Sequence, residues 1–440
     1  MKFLFLAFAL IARQILGDFQ APQYVVDLDR PAFERWQPLV EDVYKRNGWE
    51  HTFGPAIDYL TKLIPMEDWK KHDGELELAG LALFGDEYLQ ELRGIYAKAK
   101  ELGLGQNVTT GILVAFQLFY EFVMECTGIV ARDATGKVVH GRNMDVGLPI
   151  QNITAQVTWV KGGESLLVTT QYLGYIGVHT GMRKGGWSVQ ANMRVVLEPG
   201  PWGWQKTVVG HDLLSMLEHH SPVGFFLRRT LLSTRSFKDA IAVLSDTKLI
   251  SPLYFVVAGA GTGEGAVVSR ARSGLANNNR SVIYLTDDTR YIVQTNWDNW
   301  IPMDIDECLG MVKALPEYAI GACKEMTKIV FGDSRGCAAL CDLTSDGRSE
   351  AGRASMAQLR SKDVDFDHLA AVMEKPPVNN VLTQFTALMD PQTNAYKTIV
   401  RQHSSASEKI WQESYFLKLR MAQFLTFFKA LLKHMPIVLV

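Results

Sequence analysis

The chain shows no excess of charge in either sign: 45 Lys and Arg stand against 47 Asp and Glu, a net charge of −2 over 440 residues. That balance removes the electrostatic case for a nucleic-acid partner. Cysteine is scarce, and the five present, Cys126, Cys308, Cys323, Cys337 and Cys341, are an odd number. In an oxidising compartment at least one stays unpaired, and the unpaired one is the candidate nucleophile, with a buried inert thiol as the plain alternative. The first apolar run, Phe3 to Ala12, spans ten residues, whereas a bilayer crossing needs about 20. No internal repeat is found. The remaining composition, 47% hydrophobic and 21% charged, is that of an ordinary folded enzyme with room for one large domain or two.

What is present begins with a targeting segment. Lys2 precedes the apolar run, and Arg13 and Gly17 follow in a small, polar boundary, so residues 1–17 read as a signal peptide removed near Gly17 or Asp18. The sequons at Asn107, Asn152 and Asn279 suit the same route, to a lysosome or out of the cell, as glycosylation candidates. From Pro31 to Phe122 long mixed segments show no period of two, which predicts a helical leader over residues 18–125. From Cys126 the character changes to short β-rich runs, TGIVARD, KVVHGRN, AQVTWVK, ESLLVTTQYLG and WSVQANMRVV, broken at Ala134-Thr135-Gly136 and Gly162-Gly163. An antiparallel meander follows from that pattern.

A helix is expected over Ser236 to Lys248, opened by a capping-box variant of Ser236 and Asp239. Strands resume in LYFVVAGA, GAVVSRAR, SVIYLTDD and RYIVQTN. A helical leader, then strands, helices and strands again predict an α+β fold of packed sheets covered by helices. Within the body 126–403, residues 320–360 carry three cysteines in a Gly-, Ser-, Ala- and Arg-rich context and read as an insertion. The extension 404–440 mixes Leu, Phe and Val with Lys418, Arg420, Lys429 and Lys433, which suits either a membrane surface or a packed terminal helix.

The segment with chemistry in it is Glu125 to Asp145, ECTGIVARDATGKVVHGRNMD. It puts a cysteine at the start of one expected strand and Arg142 and Asp145 at the end of the next, so a hairpin would bring them together. A thiol must be ionised or handed to a base before it attacks an amide, and a nearby guanidinium favours the thiolate. On spacing alone, a salt bridge between Arg142 and Asp145 at a strand end is the simpler reading.

This segment closely resembles the nucleophile region of the acid ceramidase and N-acylethanolamine acid amidase family of N-terminal nucleophile hydrolases. The likeness continues in order through YVVDLDRPAFERW, LGYIGVHTGMRKGGWSVQANMR, SPLYFVVAGAGTGEGAVVSRAR, YIVQTNWDNW and PPVNNVLTQFTALMDP. The resemblance implies an αββα sandwich and a precursor that cuts itself between Glu125 and Cys126, leaving an α/β heterodimer. It implies that Cys126 is the nucleophile and its freed α-amine the base, with Arg142 beside it, Asp145 holding the amine and Asn296 donating to the oxyanion. No cofactor or metal is called for. The implied substrate is a lipid amide, N-acylsphingosine or, alternatively, an N-acylethanolamine; a weakened homologue that binds such amides without turnover is a further alternative.

Two departures from the family pattern motivate that last reading. Met193 stands where a glutamate is usual, in Asn192-Met193-Arg194, and no arginine occurs between Arg290 and Arg335, where the family carries a pair. Competing motifs are weaker. Gly259, Gly261, Gly263 and Gly265 lack GxGxxG spacing and precede a strand, so they read as a hairpin. Cys126 opens a strand rather than a helix, which excludes a papain-like arrangement and leaves His140 structural. Cys337 and Cys341 lack the second half of a zinc site.

Overall fold

The computed structural model describes residues 17–118, 121, 125–146, 148, 150–196, 204–277, 281–298, 347–380 and 382–402. The signal segment, the sequon at Asn279, four of the five cysteines and the extension 404–440 lie essentially outside them. No helix among the described residues is long and apolar enough to cross a membrane.

The leader opens with two strands, β1 (Phe19–Gln20) and β2 (Gln23–Asp27). Six helices follow: α1 (Gln37–Asn47), α2 (Phe53–Leu63), α3 (Met66–Lys71), α4 (Asp73–Phe84), α5 (Asp86–Glu101) and α6 (Thr110–Leu118). Pro at the start of α1 and Gly48 and Gly85 after α1 and α4 punctuate them, the glycines at φ of 71° and 87° where a left-handed residue closes a helix. Every residue of α6 is buried, so it is a core helix.

The body continues with β3 (Glu125–Arg132), β4 (Val138–Asp145), β5 (Thr154–Lys161), β6 (Glu164–Tyr172), β7 (Thr180–Arg183) and β8 (Trp187–Met193). Then come α7 (Trp204–Leu217), α8 (Val223–Ser233), α9 (Phe237–Asp246), β9 (Leu253–Gly259), β10 (Gly265–Arg270), β11 (Val282–Tyr284) and β12 (Tyr291–Gln294). The chain closes on α10 (Gly347–Ala357), α11 (Phe366–Met373), β13 (Thr383–Asp390) and β14 (Ala395–Val400). Ser236 caps α9 by accepting from the Asp239 amide at 3.1 Å, as its sequence predicts. The four-glycine run is the β9–β10 hairpin.

The strands form two sheets, β1-β14-β13-β4-β3-β12 and β11-β10-β9-β8-β7-β6-β5-β2. All pairings are antiparallel except β2 with β5. Val130, Val138, Val256 and Val267 pack between the sheets. Met356 of α10, with Leu369 and Met373 of α11, covers Ile129, Val139 and Leu388 on the outer face of the six-stranded sheet. On the other side Leu231 of α8 meets Gly181, and Phe237 of α9 meets Gly259. This is the expected helix–sheet–sheet–helix sandwich. Two expectations change: the leader is not purely helical, since it supplies an edge strand to each sheet, and residues 347–360 of the suspected insertion belong to the packed body.

Candidate active site

The β3–β4 hairpin sets the site. Its register places Glu125 opposite Asp145, Cys126 opposite Met144, Thr127 opposite Asn143 and Gly128 opposite Arg142. Successive side chains on a strand point to opposite faces, so Cys126, Arg142 and Met144 face the eight-stranded sheet while Asn143 and Asp145 face the α10–α11 layer. Gly128 lets the second sheet come close here: a Cβ would stand 2.6 Å from Gln190 Nε2.

The Cys126 thiol is fully buried. Arg142 Nη2 donates to Cys126 Sγ at 3.1 Å and to Met144 Sδ at 3.0 Å. Arg142 Nη1 is held on the far sheet by the carbonyls of His179 and Ala191, each at 2.9 Å. The guanidinium is thereby fixed with its charge against the sulfur, where it favours the thiolate.

A second arginine enters from the opposite face. Arg348, in the first turn of α10 and buried, donates to Asp145 Oδ2 at 2.9 Å, to Asn296 Oδ1 at 2.9 Å and to the Cys126 carbonyl at 3.2 Å, with Glu125 at 3.4 Å. Asp145 also accepts from Thr383 Oγ1 at 2.6 Å, aimed there by the register shift between Thr383 and Phe385 in β13. Burial pushes the Asp145 carboxyl above its usual range, and Arg348, Thr383 and Asn380 work against that.

Asn296, just past β12, completes the network. Its Oδ1 accepts from the Cys126 main-chain nitrogen at 3.0 Å, and its Nδ2 donates to the Met193 carbonyl at 2.8 Å. Two donors on the oxygen and a carbonyl on the nitrogen fix the amide's orientation. The Asn296 loop is itself tied down by Asp298, which pairs with Arg194 through Oδ1 at 2.6 Å.

Cys126, Arg142, Asp145 and Asn296 are thus brought together with Glu125 adjacent. Their details differ from expectation in two places: Asp145 is engaged with Arg348 and Thr383, and Asn296 turns its oxygen rather than its nitrogen toward Cys126. Arg348 was missed by sequence reasoning. The sequence shows only that the family's arginine pair has no counterpart between Arg290 and Arg335, and Arg348 lies beyond that stretch. His140, bonded to Ser188 at 2.9 Å and Gln190 at 3.1 Å, is driven by burial down to about 3, so it is a neutral structural imidazole. Asn152 is exposed and Asn107 half-buried.

A two-sheet sandwich with a buried cysteine near the start of a central strand and an arginine on its sulfur is an arrangement suited to attack on an amide. Residues 126–319 match the family described as linear amide C-N hydrolases, choloylglycine hydrolase family. The N-acylethanolamine-hydrolyzing acid amidase of Caenorhabditis elegans is 32% identical over 68% of this chain and 81% of its own. The acid ceramidase of Heterocephalus glaber is 27% identical over 86% of each chain. A solved structure of the Caenorhabditis elegans amidase ortholog aligns at 27% identity over 66% of this chain and 98% of its own, with a TM-score of 0.45. The chain belongs to the acid ceramidase and N-acylethanolamine acid amidase family, amidohydrolases of linear amides with the N-terminal nucleophile fold.

Proposed function

We propose that the chain is a secretory precursor that cuts itself between Glu125 and Cys126 and then hydrolyses N-acylsphingosine to fatty acid and sphingosine. The observation that carries this reading is that the nitrogen and the thiol of one cysteine are both bonded inside a single buried network. The family match beginning at Cys126 supports it, as does the exposed sequon at Asn152 for the route.

In the first reaction Cys126 Sγ adds to the Glu125 carbonyl carbon, the peptide C–N bond breaks and its nitrogen keeps the thiol proton. Water then hydrolyses the thioester, freeing the Glu125 carboxylate and the thiol. The new α-amine, ordinarily titrating at about 7.7–8.0, has the positive Arg142 and Arg348 nearby, which favour its neutral, basic form. Asn296 Oδ1 still accepts one N–H, which orients the lone pair. The amine takes the thiol proton, the thiolate adds to the substrate carbonyl, and the proton passes to the leaving amine. Water releases the fatty acid from the acyl-cysteine. For Asn296 to serve as oxyanion donor, Nδ2 must exchange the Met193 carbonyl for the substrate oxygen.

The acid ceramidase relatives span most of the chain, whereas the higher identity, 32%, lies with an N-acylethanolamine amidase, which favours N-acylethanolamines as the second substrate reading. The test is to incubate the secreted protein beside Cys126→Ala at acidic and neutral pH and sequence every fragment's N-terminus. A wild-type β chain starting at Cys126, absent from the variant, is expected, followed by comparison of the two amides. A folded wild-type chain that stays whole would overturn the amidase mechanism and leave a lipid-amide-binding homologue.

A further inference from the structure

Glu121 lies on the leader, close before the Glu125–Cys126 bond, and is buried although no reaction step uses it. Its Oε1 accepts from the main-chain nitrogen of Val223, the first residue of α8, at 2.7 Å, and its Oε2 accepts from the Ser251 hydroxyl. Both donors belong to the body on the other side of that bond. Among the described residues, the basic side chains of the neighbouring elements are engaged elsewhere: Arg228 with Glu91, Arg229 with Ser221, and the His220 ring with the Leu249 carbonyl. Two neutral donors and a helix N-terminus hold the carboxyl in place.

We infer that Glu121 is a positioning residue for self-cleavage, fastening the end of the leader to Val223 and Ser251 so that the Glu125 carbonyl is presented to Cys126, and that gaining a proton tightens this fastening. The inference rests on the self-cleavage reading. With no cation among its partners in the described residues, the buried carboxyl is more comfortable neutral, and as an acid it keeps both contacts, because Ser251 can turn from donor to acceptor. Burial lifts Glu121 to about 7, with the Ser251 and Val223 hydrogen bonds pulling the other way. The sign follows: a carboxyl raised in the docked state binds its proton more tightly there than when released. Docking therefore strengthens as pH falls through the docked value and levels off below the released one. Between pH 7.5 and pH 5.5 the docking constant rises about 20-fold.

The experiment follows hydrogen exchange of the peptide containing Val223 in uncut Cys126→Ala protein, and the self-cleavage rate of the Cys126 protein, both against pH. Acidification is expected to increase protection at Val223 after correction for intrinsic exchange, with cleavage accelerating over the same interval. Glu121→Gln should flatten both profiles, and Ser251→Ala, which keeps the carboxyl but removes a donor, should move the inflection to higher pH. Cleavage in which Glu121→Gln and Ser251→Ala both retain the parental pH profile overturns the role of Glu121 while leaving self-cleavage intact. A Cys126 protein that never cuts, with normal Val223 protection, instead defeats the self-cleavage reading.

Discussion

Replacing Arg348 with Met keeps a stem of similar length in the buried slot and removes the guanidinium. Asp145 then retains Thr383 Oγ1 at 2.6 Å but loses the partner at 2.9 Å that compensates its buried charge. Breaking one half of such a pair costs about 3–5 kcal/mol at neutral pH. The loss should depend on pH in a defined direction. The Asp145 carboxyl is already raised by burial, and without Arg348 it rises further. A carboxyl raised in the folded state adds stability on acidification and loses it as pH rises through its folded value, each tenfold gain in proton affinity being worth about 1.4 kcal/mol. The gap between parent and Arg348→Met should therefore narrow from neutral to mildly acidic pH. Urea unfolding in a Cys126→Ala background, where the chain stays whole, measures this directly. Arg348→Lys should fall between them, since an ammonium keeps the charge but not the fork that spans Asp145 and Asn296. A loss below about 1 kcal/mol at neutral pH, or a gap that widens on acidification, would refute the reasoning.

Arg142→Gln, which removes the charge beside Cys126 Sγ, should slow alkylation of the thiol in the processed protein by about tenfold or more at a fixed pH, read by mass spectrometry with a small haloacetamide. Glu91→Gln strikes the knot in which Glu91 accepts from Arg35 at 2.8 Å, Trp36 at 2.7 Å and Arg228 at 2.6 Å. It should cost about 3–5 kcal/mol and let the two pieces separate on size exclusion after cleavage, whereas the parent elutes as one. Asn152→Gln should remove one glycosidase-sensitive mobility step from the secreted protein, and an unchanged gel pattern would show that this exposed sequon is unused.

Much of the architecture is legible in the sequence because turns and β-branched runs mark it even where alternation is weak. Both faces of β4 and β9 are covered, so KVVHGRN and LYFVVAGA read as strands through composition and flanking turns rather than through a period of two. The short strands of the leader are not legible in that way. β1 is only two residues long, and β2 exists by pairing with β5 far along the chain, which no local pattern announces. The hairpin carrying Cys126 and Arg142 was readable from spacing, whereas the roles expected of Asp145 and Asn296 came from resemblance alone. Arg348 escaped because α10 is small and polar, GRSEAGRASMA, and holds its place through Gly352 against Val293 and Met356 in the core under the sheet.

Those two leader strands bear on what happens after a cut at Glu125. β1 pairs with β14 at one edge of the six-stranded sheet, and β2 pairs with β5 at one edge of the eight-stranded sheet. Losing the leader would unpair both edges, each a row of main-chain donors and acceptors prone to pairing with other chains. It would also uncover Trp159, which meets Trp36 edge-to-face at 5.5 Å, and strand Arg228 without Glu91. Asp18 adds an anchor at the first residue expected after signal removal, pairing with Arg401 at 2.6 Å. These contacts do not depend on the bond at Glu125, so the proposed hydrolysis there would leave them in place. Cleavage and dissociation are thereby separable, and a cut protein that falls apart in native buffer would mean that the bond itself, rather than the two shared sheets, holds the halves together.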